Sequence, residues 1–406
     1  MSKPLPDDII EATRLTQAGR LGEATALLQK LLGGVRPCHS TSDERSKSSP
    51  RKASPPVIDV VAQDVMPDDA GVDDASAEQP LRDGPCLSPA MSGVFQRFKS
   101  LKHAHALHRT LKRVPPLPSE VGPSSGDFVA KSFSCEAGSR AYKLYIPSGH
   151  QGEPRPLVIM LHGCTQSPDD FAAGTRMNFA AEEHTCFVAY PEQSATANSS
   201  KCWNWFNSDH QKRDQGEPSL IAGIARQVMT EHNIDDCRIY IAGLSAGGAA
   251  AAIVAEAYPD VFAALGVHSG LACGVARDLP SAFVAMQGRH SSGSVSNGGK
   301  QIPTIVFHGD RDTTVHPKNG VEVVARAAAG GDFQHDVNHG SVPAGRTYTR
   351  SVHRDANGNE IVEEWTIHGA GHAWSGGSSA GSYTDPLGPD ATKEMLRFFL
   401  KHRRPE

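Results

Sequence analysis

One stretch, "RIYIAGLSAGGAAAAIVAEAYP" (238–259), constrains the fold of this chain more than any other. It begins with β-branched and aromatic residues, passes through Gly243-Leu244-Ser245-Ala246-Gly247, and runs on as an alanine-rich segment that stops at Pro259. The order reads as strand, tight turn, helix, because β-branched residues suit a pleated surface, glycine tolerates a turn without room for Cβ atoms, and alanine favours the helix. Glycines lie two residues to either side of Ser245, which leaves two readings. Ser245 is a nucleophile held on a sharp strand-to-helix turn, or it is a small structural residue in that turn.

The surrounding chain supplies the architecture. From residue 126 onward, short apolar segments alternate with helical ones, and this predicts an α/β domain (126–406) with a mostly parallel central sheet and helices on both faces. The strand candidates are 140–147, 157–161, 186–190, 238–243, 264–267, 304–309 and 361–367. Several are continuous apolar runs, the pattern of strands covered on both sides. "HDVNH" (335–339) carries two histidines four apart but reads as an irregular polar stretch. In open α/β sheets the chemistry sits beyond the carboxyl ends of the strands, and Ser245 lies at such an end.

A serine hydroxyl needs a base, and the base needs an orienting acid; in this arrangement they follow in the order serine, acid, histidine. "TIVFHGDRDTTVHP" offers Asp310 and Asp312 after one strand, and "WTIHGAGHAWSGG" offers His368 and His372 after the last. Asp312 is preferred because Asp310 sits at the start of its turn and is placed to cap it. His372 is preferred because Gly369 and Gly371 let its loop swing over the sheet edge, whereas His368 continues the strand. The developing oxyanion needs backbone donors. Ala246 supplies one, and the loop "LHGCTQSPDDF" supplies the other through Cys164 or Thr165.

The first 125 residues differ in composition. Residues 1–35 read as a small helical hairpin, and residues 36–125, rich in Ser, Pro, Asp and Lys, read as a largely disordered linker that buries too little apolar surface to fold. Within the linker, 94–114 is basic and mildly amphipathic, either a short solvated helix or a segment that lies on a polymer granule or membrane surface. A net charge of −5 provides no overall basic field, which argues against nucleic acid as the main partner. The N-terminus carries early aspartates and no apolar run, so the expectation is a cytoplasmic protein.

The segments "LHGCTQ", "CWNWF", "GEPSLIAGI", "IYIAGLSAGGAAAAIVAEAYPDVFAALGVHSGL" and "GAGHAW" resemble the polyhydroxybutyrate depolymerase family of esterases, which includes feruloyl and acetylxylan esterase-like members. The resemblance covers about residues 130–400. It implies an α/β-hydrolase fold, catalytic roles for Ser245, Asp312 and His372, and hydrolysis of a polyester, oligomer or small acyl ester without metal or organic cofactor. Many members act outside the cell, so an extracellular location is the alternative to the cytoplasmic one. Feruloyl or acetylxylan ester hydrolysis is the second functional reading, and a non-catalytic granule- or partner-binding scaffold is the third. Trp203, Trp205 and Trp374 adjoin the expected site and are either an apolar substrate wall or core residues. A disulfide between Cys164 and Cys202 requires an oxidising compartment.

Overall fold

The computed structural model describes residues 115–289 and 302–405. The expected hairpin (1–35), most of the linker and its basic segment 94–114 lie outside the described residues. Residues 115–125, read as the end of the linker, instead carry a short helix, α1 (Pro118–Val121), whose Val121 is buried and whose Val121 carbonyl accepts from Asn178 Nδ2 at 3.0 Å. The described fold therefore includes residues ahead of 126.

The strands are β1 (Asp127–Cys135), β2 (Gly138–Ile146), β3 (Arg155–Leu161), β4 (Phe187–Pro191), β5 (Ile234–Leu244), β6 (Ala264–His268), β7 (Thr304–Gly309), β8 (Gln334–Ser341), β9 (Thr347–Arg354) and β10 (Glu360–Ile367). They form one sheet in the order β1-β2-β4-β3-β5-β6-β7-β10-β9-β8. The central run from β4 to β10 is parallel, and antiparallel strands extend it at both sides. A second small sheet pairs β11 (Trp374–Ser375) with β12 (Thr384–Asp385). The helices after α1 are α2 (Pro168–Thr175), α3 (Met177–His184), α4 (Gly216–Glu231), α5 (Ala246–Ala257), α6 (Leu279–Met286), α7 (Lys318–Ala327) and α8 (Ala391–Phe399).

The parallel strands read as unbroken apolar runs because each face has its own core. Leu157, Ile159 and Leu161 of β3 pack with Ile239 and Ile241 of β5 and with α4 and α5, while Val158, Met160, Tyr240 and Ala242 face α2, α3 and α8. α5 is buried nearly all round, which is why its sequence has no polar stripe. A buried charge also helps hold the C-terminal side: Glu363 of β10 accepts from Arg350 of β9 and Arg397 of α8 at 2.9 and 2.7 Å.

"HDVNH" departs from the sequence expectation by forming β8. Its residues are exposed on both faces of an edge strand, so no apolar alternation marks them, and only pairing with β9 reveals the strand.

Candidate active site

Ser245 sits between β5 and α5 with φ 58° and ψ −119°, a conformation that non-glycine residues seldom adopt. The two flanking glycines make that turn possible. A Cβ on Gly243 would stand 2.3 Å from the Gly247 backbone, and one on Gly247 would stand 2.1 Å from the Leu161 carbonyl oxygen. The Ser245 amide donates to His268 O at 2.9 Å, which ties the turn to the end of β6. The side chain is half-buried, at the carboxyl end of β5.

Asp312 follows β7, and His372 follows β10. His372 Nδ1 lies 2.6 Å from Asp312 Oδ2. Asp312 Oδ1 accepts from the amides of Thr314 and Val315 at 2.8 and 2.9 Å, so the carboxylate is bound on both oxygens. Burial by itself would raise its pKa, but hydrogen bonds from His308 and His372 outweigh that and hold the carboxyl well below the usual carboxylate range. Asp312 therefore stays ionised under an imidazole. The other pair considered from sequence is bonded within itself: His368 Nδ1 meets Asp310 Oδ2 at 3.0 Å, and Asp310 Oδ1 accepts from the Gly369 amide at 2.7 Å. Because β7 and β10 are adjacent and parallel, with Gly309 opposite Ile367, their following loops run side by side.

The loop after β3 approaches the serine turn closely. A Cβ on Gly163 would be 3.7 Å from Ser245 Cβ. Of the two expected donors from this loop, Thr165 is corrected by the structure, since its amide already donates to Ser200 O at 2.8 Å. Of the two, that leaves the Cys164 amide as the candidate. Ala246 is the first residue of α5, a position whose N–H has no acceptor within the helix. The loop is braced from several sides. Cys164 forms a disulfide with Cys202, Gln166 Oε1 accepts from the Gly163 amide at 2.8 Å, and Gln166 Nε2 donates to Ser382 O at 3.1 Å.

His162 begins this loop. Its Nε2 accepts from the Gln193 amide at 3.1 Å, which puts its proton on Nδ1, 2.7 Å from Gly163 O. Burial lowers its pKa to about 4, so it remains neutral.

The substrate-wall reading of the tryptophans is corrected. Trp203 and Trp374 are fully buried, with their indole N–H groups donating to His162 O and Thr392 Oγ1, each at 3.0 Å. Trp205 is only 6% exposed and packs edge-on to Phe206. All three are core side chains, with Trp203 placed to support the His162 loop from below. Sequence reasoning passed over His308, two positions before Asp310, which lies against the Asp312 carboxylate. Its one visible signal is that it belongs to the same "VFHGD" strand end.

The sheet order and the residues gathered at its carboxyl edge define an α/β-hydrolase. Residues 140–333 match the family described as Esterase PHB depolymerase. The chain is 32% identical over 295 residues to poly(3-hydroxyalkanoate) depolymerase C of Paucimonas lemoignei, covering 68% of this chain and 69% of that one. It belongs to the polyhydroxybutyrate depolymerase family of esterases and is a carboxylic ester hydrolase. Feruloyl esterase B of Thermothelomyces thermophilus is 30% identical over 198 residues, covering 45% of this chain and 67% of that one. The solved acetyl xylan esterase from Aspergillus awamori is 17% identical, with a TM-score of 0.53 over 67% of this chain and 98% of that one, a likeness that concerns the fold.

Proposed function

We propose that the chain hydrolyses the ester bonds of polyhydroxybutyrate or its hydroxyacyl oligomers through a triad of Ser245, His372 and Asp312. The observation that carries this reading is the 2.6 Å bond between His372 Nδ1 and the ionised Asp312, together with the strained backbone of Ser245 at the end of β5 in the same sheet. Ser245 Oγ attacks the ester carbonyl carbon while His372 Nε2 takes the hydroxyl proton, and Asp312 stabilises the imidazolium that results. The carbonyl oxygen becomes an oxyanion that accepts from the Cys164 and Ala246 amides. His372 then gives its proton to the leaving alkoxide, the ester C–O bond breaks, and an acyl-Ser245 ester remains. Water, deprotonated by His372, attacks the acyl carbon and releases the hydroxy acid.

The polyester reading is supported by the higher identity and coverage of the relative named as a polyhydroxyalkanoate depolymerase. The feruloyl esterase at 30% identity supports the second reading, in which the same residues release acyl groups from plant-wall esters. The Cys164–Cys202 disulfide favours an oxidising compartment over the cytosol, since such bonds persist there. The basic segment 94–114 would then serve contact with an anionic or polymer surface.

The test is a panel assayed with wild type and Ser245→Ala: p-nitrophenyl butyrate, hydroxybutyrate trimer, amorphous polyhydroxybutyrate and methyl ferulate. Serine-dependent turnover of trimer and polymer, with little ferulate release, is the expected result. Ferulate release without polymer turnover supports the second reading, and activity in Ser245→Ala overturns the mechanism.

A further inference from the structure

We infer that His308 is a positioning residue for the Asp312 carboxylate, sharing the Oδ2 oxygen with His372 and setting the strength with which Asp312 holds that imidazole. The inference rests on the triad proposed above. His308 lies near the end of β7 with its side chain buried, 3.4 Å from Asp312 Oδ2 and 2.9 Å from Val315 O, both through Nε2. A nitrogen that faces two acceptors carries the proton, so Nε2–H donates and Nδ1 holds a lone pair. That Nδ1 is buried and has no hydrogen-bond partner. The fold leaves an acceptor unmet on one side of the ring while directing the ring's only donor at the triad carboxylate and the turn that binds it.

The surroundings keep the ring in this place. A Cβ on Gly320 of α7 would stand 2.8 Å from His308 Nδ1, so glycine there makes room for the imidazole. Glu364 of β10 lies on the same sheet face, since the register sets it beside Val306, and Thr366 pairs with His308 itself. The titratable groups that bear on His308 are Asp312 in the following loop, His268 of β6 and Glu364 of β10. With the Thr314 and Val315 amides on Oδ1, the His308 Nε2–H stands with its nitrogen 3.4 Å from Oδ2, the oxygen that His372 uses.

Two consequences separate this role from plain packing. A donor on Oδ2 draws off part of the negative charge felt by His372, so removing it leaves a more basic carboxylate and a more basic His372. It also fixes the carboxylate plane, so removing it loosens the base.

The experiment compares His308→Leu, which keeps bulk and loses the donor, with His308→Gln, whose amide Nε2–H reaches toward the imidazole Nε2 position. In His308→Leu, kcat is expected to fall about tenfold with KM nearly unchanged, and the acid limb of kcat/KM to move up by about half a pH unit. His308→Gln is expected to recover most of both. Proton NMR of the resting protein provides a readout independent of turnover: the pH midpoint of the His372 imidazole resonance should move up in His308→Leu. An unmoved acid limb and midpoint in folded His308→Leu overturns the inference, as does a folded His308→Gln with the same losses as Leu. If His308→Leu does not fold, His308→Gln against wild type decides: a kcat and acid limb close to wild type support it, and a folded variant with tenfold lower kcat overturns it. Failure of the triad itself would instead show as an active Ser245→Ala.

Discussion

The His368 imidazole is held at both nitrogens, with Nδ1 3.0 Å from Asp310 Oδ2 and Nε2 2.9 Å from Thr349 Oγ1. A ring engaged on both sides has no position left for the Ser245 hydroxyl. His372, by contrast, gives Nδ1 to Asp312, and the proposed mechanism uses its Nε2. The two aspartate–histidine pairs therefore differ: Asp310 clamps the start of the loop that carries His372, through the Gly369 amide, while Asp312 holds the imidazole proposed as the base.

This division predicts unequal losses. Asp312→Asn and His372→Ala should each lower kcat by about three to four orders of magnitude, because the tautomer or the base itself is lost. His368→Ala should lower kcat by less than about tenfold, since the Gly369 amide remains bound to Asp310. Steady-state kinetics on p-nitrophenyl butyrate measure all three. A His368→Ala variant as inactive as His372→Ala would reverse the assignment of the base.

The disulfide leads to a second prediction. The Cys164 amide is the proposed oxyanion donor of its loop, and its partner Cys202 lies beside Trp203, whose indole N–H holds the His162 carbonyl at 3.0 Å. Breaking the bond leaves the Gly163–Gln166 and Thr165–Ser200 contacts to position that amide. Removing an oxyanion donor outright costs about a hundredfold or more in kcat, and partial misplacement should cost about tenfold. Cys164→Ser/Cys202→Ser, or reduction by a dithiol followed by thiol counting, should lower kcat with little change in KM. Full activity with both thiols free would show that the remaining bonds suffice.

The legible parts of the molecule follow from burial. Strands covered on both faces, such as β3 and β5, announce themselves as apolar runs, and the order of the parallel segments is enough to expect helices on both sides of the sheet. β1, β8 and β9 lie toward the sheet's two edges, and their solvent-facing positions erase the pattern that would mark them. The same holds at the site. Chain order and loop position narrow the acid and base to four residues, but which aspartate meets which histidine depends on how neighbouring loops lie across parallel strands. The tryptophans mislead for a related reason: motifs beside an active site also contain the side chains that fill the core beneath it. Thr165 is lost as an oxyanion donor to a carbonyl at Ser200, which lies 35 positions along the chain, and no local pattern encodes that contact.

The buried histidines predict how stability responds to acid. Burial pushes His162 and His402 down to about 4 and holds His268 well below its ordinary value of 6.5. In the unfolded chain these rings titrate near 6.5, so between that pH and about 4 the unfolded state binds more protons than the folded one. Their contribution is thus fully present above pH 6.5 and is lost as pH falls toward the folded value. For His162 alone the loss amounts to about 3 kcal/mol across that window. Asp312 acts in the same direction at lower pH: its depressed carboxyl stabilises the fold above the unfolded carboxylate range and ceases to do so as acid protonates it. Urea unfolding at several pH values should show stability falling steadily from pH 7 to 4, and His162→Gln should flatten that slope even where it lowers stability at pH 7. The reason is geometric as well as electrostatic: a protonated His162 would set a second N–H against the Gln193 amide, and the loop bearing Cys164 would open at its first residue. A slope in His162→Gln equal to wild type would assign the acid loss to the other buried groups.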